Sequence, residues 1–192
     1  DVSEINPPRR RIIRSDDQLT SFIPMAAVDH KKGVIQERIE KPYAEVKKGF
    51  TYFENENVVF AKITPCMQNG KHAIVDHLID GFGFGSTEFH VIKCDKNIDP
   101  KWVHYFIRQE QILKDAEKHF SGSVGQQRVP PSFLENIKIP LPPPADQQVL
   151  LKQLNAKFQD LDCLEDRISE QIAKIDLLPQ AYLRQAFRGE LG

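Results

Sequence analysis

A proline-rich segment near residue 140 places the strongest limit on how this chain can fold. Residues 140–144 contain four prolines in five positions. Proline lacks a backbone N–H and has a fixed φ, so such a run can continue neither a helix nor a central strand. We therefore predict an extended segment that separates two domains, residues 1–143 and residues 144–192.

The first domain is predicted to be α+β. Short runs of β-branched and aromatic residues lie between turn-forming residues, which indicates strands. The predicted strands are residues 22–28, 58–63, 72–79 and 88–93. A helix is predicted over residues 100–119, with Asp99 as its N-cap and Pro100 at its first position. Because helices do not alternate regularly with strands, we expect a twisted mixed β-sheet rather than a doubly wound parallel one.

The second domain has the heptad pattern of a long coiled-coil helix. One helix over residues 146–178 would be about 50 Å long. A narrow a/d seam of this kind needs a partner helix, whereas a helix that packs on its own domain usually has a wider apolar stripe. We expect an intermolecular or inter-repeat coiled coil, with packing on the chain's own domain as the alternative. Seven of the eight seam positions are apolar, and the eight are Leu151, Leu154, Phe158, Leu161, Glu165, Ile168, Ile172 and Ile175.

Two residues modify this long helix. Glu165 occupies an a position, where a polar residue costs stability and tends to fix the register and the partner. Pro179 is expected to break or kink the helix. A last amphipathic segment, residues 180–188, is expected to end at Gly189 as a C-cap.

The composition is that of a globular protein, and its charge does not by itself indicate a nucleic-acid partner. Hydrophobic residues make up 40%, charged residues make up 28%, and the net charge is −1. DNA-binding domains are usually basic, because neutralising phosphates supplies most of the non-specific affinity. If DNA is the partner, either the basic residues are gathered on one face or another subunit supplies most of the phosphate contacts.

Other sequence features favour a cytoplasmic protein. No apolar run approaches the ~20 residues that a membrane span needs, and no secretory signal is visible at the start. Cys66, Cys94 and Cys163 lie far apart without a CxxC pair, which is typical of reduced thiols rather than of a disulfide framework. The histidines show neither HxxxH nor HExxH spacing, so no metal site is expected.

The tetrapeptide Asn6-Pro7-Pro8-Arg9 is similar to the Asn-Pro-Pro-aromatic sequence of amino-methyltransferases, in which the aromatic residue stacks on a flipped base. Here arginine replaces the aromatic residue, and no glycine-rich S-adenosylmethionine motif precedes it. We therefore expect a proline-stiffened segment that leads into the basic run 9–11, which either contacts phosphate or forms a solvated patch.

A second motif, residues 81–85, alternates glycine and phenylalanine and resembles a nucleotide-binding loop. Such a loop must open a helix, whereas residues 86–92 have the pattern of a strand. We expect a tight or bulged connection into that strand and no dinucleotide site.

Two polar loops carry side chains that are suited to reading DNA. Residues 121–128 end in two glutamines and an arginine, and residues 63–71 form the second loop. Amide and guanidinium groups match the edges of adenine and guanine in the major groove. The chain has no Ser-His-Asp order, no activated cysteine and no recognisable carboxylate pair, so no feature favours catalysis.

Taken in order, several segments resemble the specificity subunits of type I restriction–modification enzymes. These segments are residues 22–28, 60–71, 83–89, 125–130, 139–148 and 186–191. Asp146 stands where the family would have glutamate, which is a conservative departure. The resemblance covers nearly the whole chain and implies that residues 1–143 are a DNA target-recognition domain and residues 144–192 a spacer or dimerisation helix.

The resemblance implies a non-catalytic, sequence-specific DNA-recognition subunit without a cofactor of its own. S-adenosylmethionine is expected only on a partner methyltransferase subunit. The implied partners are double-stranded DNA, methyltransferase subunits, restriction subunits, and a second copy or second half-subunit that pairs through the long helix. A coiled-coil adaptor without DNA specificity is the alternative, and a standalone methyltransferase would be distinguished by S-adenosylmethionine binding.

The candidate DNA contacts are polar residues of the two loops and of the turn between residues 85 and 88. They are Lys62, Thr64, Asn69, Lys71, Ser86, Thr87, Ser123, Gln126, Gln127 and Arg128.

Overall fold

The computed structural model describes residues 2–123 and 125–190. The chain forms two compact units, residues 1–147 and residues 148–192. The strands are β1 (Ser3–Ile5), β2 (Leu19–Ile23), β3 (Val28–Asp29), β4 (Val34–Ile35), β5 (Ile39–Pro42), β6 (Thr51–Glu54), β7 (Val58–Ala61), β8 (His72–Ile74), β9 (Phe82–Gly85) and β10 (Phe89–Cys94). The helices are α1 (Tyr43–Val46), α2 (Pro100–Ile107), α3 (Glu110–Glu117), α4 (Pro131–Asn136) and α5 (Pro144–Arg188). The predicted α+β class with a long C-terminal helix is confirmed.

The strands of the first unit are divided between two four-stranded sheets and a small hairpin. Sheet A has the strand order β1-β10-β7-β8, with antiparallel neighbours throughout. Sheet B has the order β5-β2-β9-β6, in which β2 and β9 run parallel and the other neighbours antiparallel. Strands β3 and β4 pair only with each other among the described strands.

The two sheets pack face to face. Since alternate residues of a strand point to opposite faces, each strand contributes one set of side chains to the core between the sheets and another to the outer face. The core between the sheets contains Phe53 of sheet B and Val59 and Val91 of sheet A. The other face of sheet A carries Val58 and Phe60, which pack with helices α2 and α4. The order of layers is therefore helices, sheet A, sheet B, and a final covering layer on the outer face of sheet B.

Strand β9 is central in sheet B, so the expected tight or bulged connection over residues 81–85 is wrong for residues 82–85. Its glycines permit close approach to the parallel strand β2. A Cβ atom on Gly83 would lie 2.8 Å from the carbonyl oxygen of Ser21, and one on Gly85 would overlap the carbonyl oxygen of Ile23. The ring of Phe53 fills the space above both glycines. The Gly-Phe alternation thus builds a strand with glycines and no side chains on one face and with aromatic rings on the other.

Two predicted strands end earlier than expected, for local reasons. Strand β8 stops at Ile74 rather than residue 79, because Ile74 pairs with Val58, the first residue of β7. Strand β2 ends at Ile23, and residues 25–27 form a 3-10 turn in which the Ala27 N–H donates to the Pro24 carbonyl at 3.0 Å. The remaining two, residues 58–63 and 88–93, are strands β7 and β10 with small changes of boundary.

The helix predicted over residues 100–119 is divided into α2 and α3. Asp99 is the N-cap of α2, as expected, and its carboxylate accepts a bond from the Lys101 N–H at 2.8 Å. The division lies at Gln109, whose extended backbone (ψ 131°) cannot continue a helix. The Arg108 guanidinium just before it donates to the carbonyls of Lys31 and Lys32, which holds the end of α2 against the β3–β4 hairpin.

Helix α5 starts at Pro144 and is continuous to Arg188, so of the two expected effects of Pro179 the break is wrong, and the kink stays a prediction. A proline inside a helix removes one N–H donor, and the remaining turns of this helix keep their hydrogen bonds. The predicted C-cap is confirmed. Gly189 has φ 71°, and the N–H of Glu190 donates to the Gln185 carbonyl at 2.9 Å, as in a Schellman motif.

None of the helices within residues 2–123 and 125–190 combines the length and the apolar character that crossing a membrane requires.

The close approach of β9 to β2 predicts that Gly85→Ala destabilises the first unit. We expect the free energy of unfolding to fall by about 3 kcal/mol, because the added methyl overlaps backbone as well as the Phe53 ring. Gly49→Ala is the control, since Gly49 has no atom within 4 Å of its Cβ position and, unlike Gly85, has a positive φ (78°), so that only backbone strain opposes the added methyl. That change should cost about 1 kcal/mol. Urea denaturation of both variants measures the difference, and equal losses would contradict the steric explanation.

Candidate nucleic-acid interface

Three segments that are distant in sequence meet at one end of the first unit. They are loop 62–71, turn 86–88 and hairpin 121–128, and together we call them the polar-loop site. The Thr64 N–H donates to the Gln127 carbonyl at 3.0 Å, and the Lys62 N–H donates to the Glu88 carbonyl at 2.9 Å. Backbone hydrogen bonds therefore join the three segments, and these bonds do not depend on the identity of the side chains.

The hairpin is closed by two backbone bonds between Ser121 and Arg128. The Ser121 N–H donates to the Arg128 carbonyl at 3.0 Å, and the Arg128 N–H returns a bond of 2.9 Å. Its tip is tightened by a 3.0 Å bond from the Gln126 N–H to the Ser123 carbonyl. Ser123 and Gln126 are both exposed. Closure at the base thus presents the side chains of Ser123 and Gln126 to solvent.

The side chain of Arg128 connects the hairpin to the turn. Its Nε and Nη2 donate to the two oxygens of Glu88 at 2.9 and 2.8 Å, and its Nη1 donates to the Gln126 carbonyl at 3.0 Å. The hydrogen bonds from Arg128 lower the pKa of the Glu88 carboxyl below its usual range. A base contact by Arg128 stays a prediction, and the structure gives this residue a positioning role inside the protein.

Three more of the candidate residues have buried or hydrogen-bonded side-chain groups. Lys71 donates from Nζ to the carbonyls of Met25 and Val28, at 3.0 Å each. The Thr64 hydroxyl is buried, and it has no hydrogen-bond partner among the described residues. The Ser86 hydroxyl accepts a bond from the Glu88 N–H at 3.2 Å. The hydrogen bonds of Lys71 and Ser86 thus hold loop backbone in this conformation, and the hydroxyl of Thr64 is closed off from solvent.

The exposed members of the set remain the strongest candidates for contact with a ligand. Lys62 and Gln127 are half-buried. The fully exposed candidates are Asn69, Thr87, Ser123 and Gln126. Two of these four are amides, which offer a paired donor and acceptor.

The sequence did not single out His90, which supports the base of the hairpin. Its Nε2 lies 2.8 Å from the Val129 carbonyl, and its Nδ1 lies 3.1 Å from the Asn6 amide nitrogen. Burial lowers the pKa of His90. A histidine inside an apolar strand is the only sequence signal that could have indicated it.

Asn6, considered above as part of a methyltransferase-like tetrapeptide, has a structural role. Its N–H donates to the Val91 carbonyl at 2.7 Å, and its Oδ1 accepts from the Val91 N–H at 3.0 Å. Its side chain also reaches His90. These bonds join the N-terminal segment to strand β10.

Metal-ligating side chains do not cluster in the part of the chain that the structure describes. No group of three or more His, Cys, Asp or Glu residues there is arranged to hold an ion. The chemistry that the polar-loop site offers is hydrogen bonding by amides and hydroxyls.

Comparison with known proteins identifies the family. Residues 1–174 match the model of the type I restriction modification DNA specificity domain. The chain belongs to this family. The sequence-based resemblance is thereby confirmed.

The curated relatives of this specificity domain are longer than the chain itself. The EcoAI specificity subunit of Escherichia coli is 37% identical over 171 residues, which is 88% of this chain and 28% of the relative. The EcoEI specificity subunit is 34% identical over 172 residues, with 89% and 28% covered. The chain therefore spans less than a third of the length of these relatives.

Solved structures show the same fold. A chain from a solved type I R-M system has a TM-score of 0.77 at 20% identity, with 89% of this chain and 44% of that chain covered. The HsdS subunit from Thermoanaerobacter tengcongensis has a TM-score of 0.71 at 20% identity, with 88% and 43% covered. At this identity the likeness establishes the architecture alone.

The Glu88–Arg128 pair predicts a pH-dependent stability of the specificity domain. A carboxyl whose pKa is lowered by folding stabilises the folded state above its unfolded pKa of about 4.3. That contribution is lost as the pH falls through the folded pKa. Glu88→Gln should therefore reduce the free energy of unfolding at pH 7 by at most about 1 kcal/mol, since the pair is partly exposed. The difference from wild type should vanish in acid.

Urea titrations between pH 7 and strongly acidic pH measure this difference. Arg128→Ala and the double variant complete a thermodynamic cycle. A coupling energy of zero at pH 7 would show that the pair does not contribute to stability.

Proposed function

We propose that this chain recognises one half of a split DNA sequence and directs methyltransferase and restriction subunits to it, without catalysing a reaction itself. The observation that carries the proposal is the match of residues 1–174 to the type I DNA specificity domain. The specificity subunits that it resembles are named as parts of type I restriction enzymes. The proposal extends that role to this shorter chain.

The geometry of the polar-loop site supports recognition of a base sequence. The exposed amides of Asn69 and Gln126 lie on segments that backbone bonds attach to the sheets. An amide can bond to the N6 and N7 atoms of adenine in the major groove, and each such pair discriminates by about 1–3 kcal/mol. Segments that are already fixed lose little entropy when they bind.

The long helix supports the proposal that a second helix pairs with it. In the second unit, Phe158 is 42% exposed and Ile168 is 58% exposed, although both are large and apolar. Leu154, Leu161, Ile172 and Ile175 are also exposed, while Leu151 is buried. An apolar a/d seam of this length needs a partner helix to remove it from water. We propose a second copy of this chain, or a second half-subunit, as the partner.

Cofactor use and location follow from the same proposal. The reacting methyl group would belong to S-adenosylmethionine held by a methyltransferase subunit, and this chain would need no cofactor. Since DNA and the modification subunits are its proposed partners, we place the protein in the cytoplasm.

Mapping of methylated adenines tests the proposed function. We expect that co-expression with the methyltransferase subunit of the same operon produces a split methylated motif that neither protein produces alone. A palindromic motif would indicate two copies of this chain. Absence of new methylation, together with dimerisation and no DNA preference, would favour the coiled-coil adaptor instead.

Mapping of methylated adenines also tests whether the exposed amides read bases. Asn69→Ala or Gln126→Ala should relax the motif at one position, corresponding to a loss of about 1–3 kcal/mol in discrimination. Gln111→Ala, an exposed amide on helix α3, is the control and should leave the motif unchanged.

The methylation map also distinguishes the two roles of Arg128. Glu88→Gln and Arg128→Ala should have the same effect on the motif if Arg128 positions the hairpin, whereas a motif altered only by Arg128→Ala would identify Arg128 as a base contact.

Light scattering tests the pairing of the helix. Phe158→Glu combined with Ile168→Glu places two charges in the seam, so a dimer should dissociate to monomers at micromolar concentration. Gln153→Glu with Gln159→Glu adds the same charge outside the seam and should leave the mass unchanged. Equal masses for all three proteins would exclude the seam as the contact.

A further inference from the structure

The outer face of sheet B is a layer of aromatic rings covered by the start of the chain. We call residues 7–14 the N-terminal strap. It lies on the rings and is followed by turn 15–18, which leads into β2. The aromatic members of the layer are Phe22, Tyr43, Tyr52, Phe82 and Phe84.

Cationic side chains lie on these rings. The Arg9 guanidinium carbon is 5.0 Å from the centre of the Phe84 ring, and those of Arg10 and Arg14 are 5.3 and 5.1 Å from the centre of Phe82. Lys41 and Lys47 approach the rings of the same layer. Within residues 2–123 and 125–190, the cation–aromatic contacts all fall on this face. Five basic side chains of a chain whose net charge is −1 thus contact the aromatic rings of one surface.

Carboxylates neutralise only some of these cations. Arg14 pairs with Asp80, Lys47 with Asp16 at 2.6 Å, Arg10 with Glu54 at 3.2 Å, and Lys41 with Glu45 at 4.0 Å. Among the described residues, no carboxylate pairs with Arg9, Arg11 or Lys48, and all three are exposed. Three positive charges therefore remain available to a ligand.

The arrangement of the strap directs these charges outward. Ile12 packs against the aromatic layer, whereas Arg11 and Ile13 on either side of it are exposed. Arg9 donates to the Lys47 carbonyl at 2.7 Å and to the Tyr43 hydroxyl, which leaves other N–H groups of its guanidinium free. Its position is thus fixed before any ligand binds.

The strap is continuous with the polar-loop site. Asn6 immediately precedes it, and its side chain lies 3.1 Å from His90 Nδ1, whose Nε2 is 2.8 Å from the carbonyl of Val129 at the base of the hairpin. The hairpin and the strap are thus linked through the side chains of His90 and Asn6. A duplex is an extended ligand that can contact both surfaces.

We propose that the N-terminal strap and the adjoining turn 47–50 form a contact surface for the phosphate backbone of DNA beside the bases read by the loops. Arg9, Arg11 and Lys48 supply the charges. The inference rests on the proposed function and adds a second, sequence-independent surface to it. Phosphate is favoured over a carboxylate-bearing protein, because a continuous duplex presents regularly spaced charges along the whole path from the hairpin to the strap.

The salt dependence of DNA binding tests this surface. The protein is the full chain in complex with its methyltransferase subunit, and the probes are a duplex with the mapped motif and an unrelated duplex. We expect Arg11→Ala with Lys48→Ala to weaken binding to both duplexes by about tenfold. The slope of log affinity against log salt concentration should fall by about 2, while the methylated motif stays the same.

The matched control removes the same charge from another surface. Lys96→Ala with Lys101→Ala changes two exposed lysines that follow the end of strand β10, whereas turn 86–88 of the polar-loop site precedes its start. The control should keep the wild-type slope, and both double variants should keep the wild-type melting temperature, since the altered side chains have no hydrogen-bond or ion-pair partner among the described residues.

Each other outcome overturns a defined claim. An unchanged slope for Arg11→Ala with Lys48→Ala, or an equal loss in the control, would overturn the phosphate surface. Loss of the methyltransferase subunit from that variant, with DNA binding of the remaining complex unaltered, would show that the strap binds protein and would also overturn it. A wild-type complex that binds neither duplex would overturn the proposed function itself.

Discussion

The close parallel pairing of β2 and β9 is the contact on which the rest of the first unit depends. Gly83 and Gly85 allow the β9 backbone to lie against β2 while the Phe53 ring covers both glycines. The same strand turns Phe82 and Phe84 to the opposite face. One segment of four residues thus builds the core between the sheets on one side and the support for the N-terminal strap on the other. It also ends directly at turn 86–88, so the position of the polar-loop site follows from this pairing.

The segments of the polar-loop site are joined mainly by main-chain rather than side-chain hydrogen bonds. The hydrogen bonds of Lys62 and Thr64 to the turn and the hairpin use only backbone atoms. Loop side chains can therefore change without loss of the scaffold. Glu88 and Arg128 are the exception, because their ion pair ties the turn to the hairpin through side chains.

The net charge of −1 does not describe how the charges of this chain are distributed, and the structure explains why. The −1 total conceals one face on which Arg9, Arg11 and Lys48 have no carboxylate partner among the described residues, and there Arg9 rests on the Phe84 ring. A guanidinium above a ring is partly desolvated and oriented, which reduces the entropy lost when it binds an anion. Local arrangement, rather than the sum of charges, decides whether a surface can accept phosphate.

The sequence by itself determined the features that depend on neighbours along the chain. The prolines of residues 140–144 placed the start of the long helix, Asp99 placed the N-cap of α2, and Gly189 placed the last C-cap. Ordered motifs were also sufficient to identify the family.

Only the tertiary structure decided which side chains are free to contact a ligand, because partners distant in sequence compete for the same side chains. Lys71 and Arg128 are held by Met25 and Glu88, and the phenylalanines and glycines of β9 form a strand because β2 and β6 lie beside them. Pairing across a sheet and ion pairs between loops involve residues far apart in the chain, so no local pattern records them.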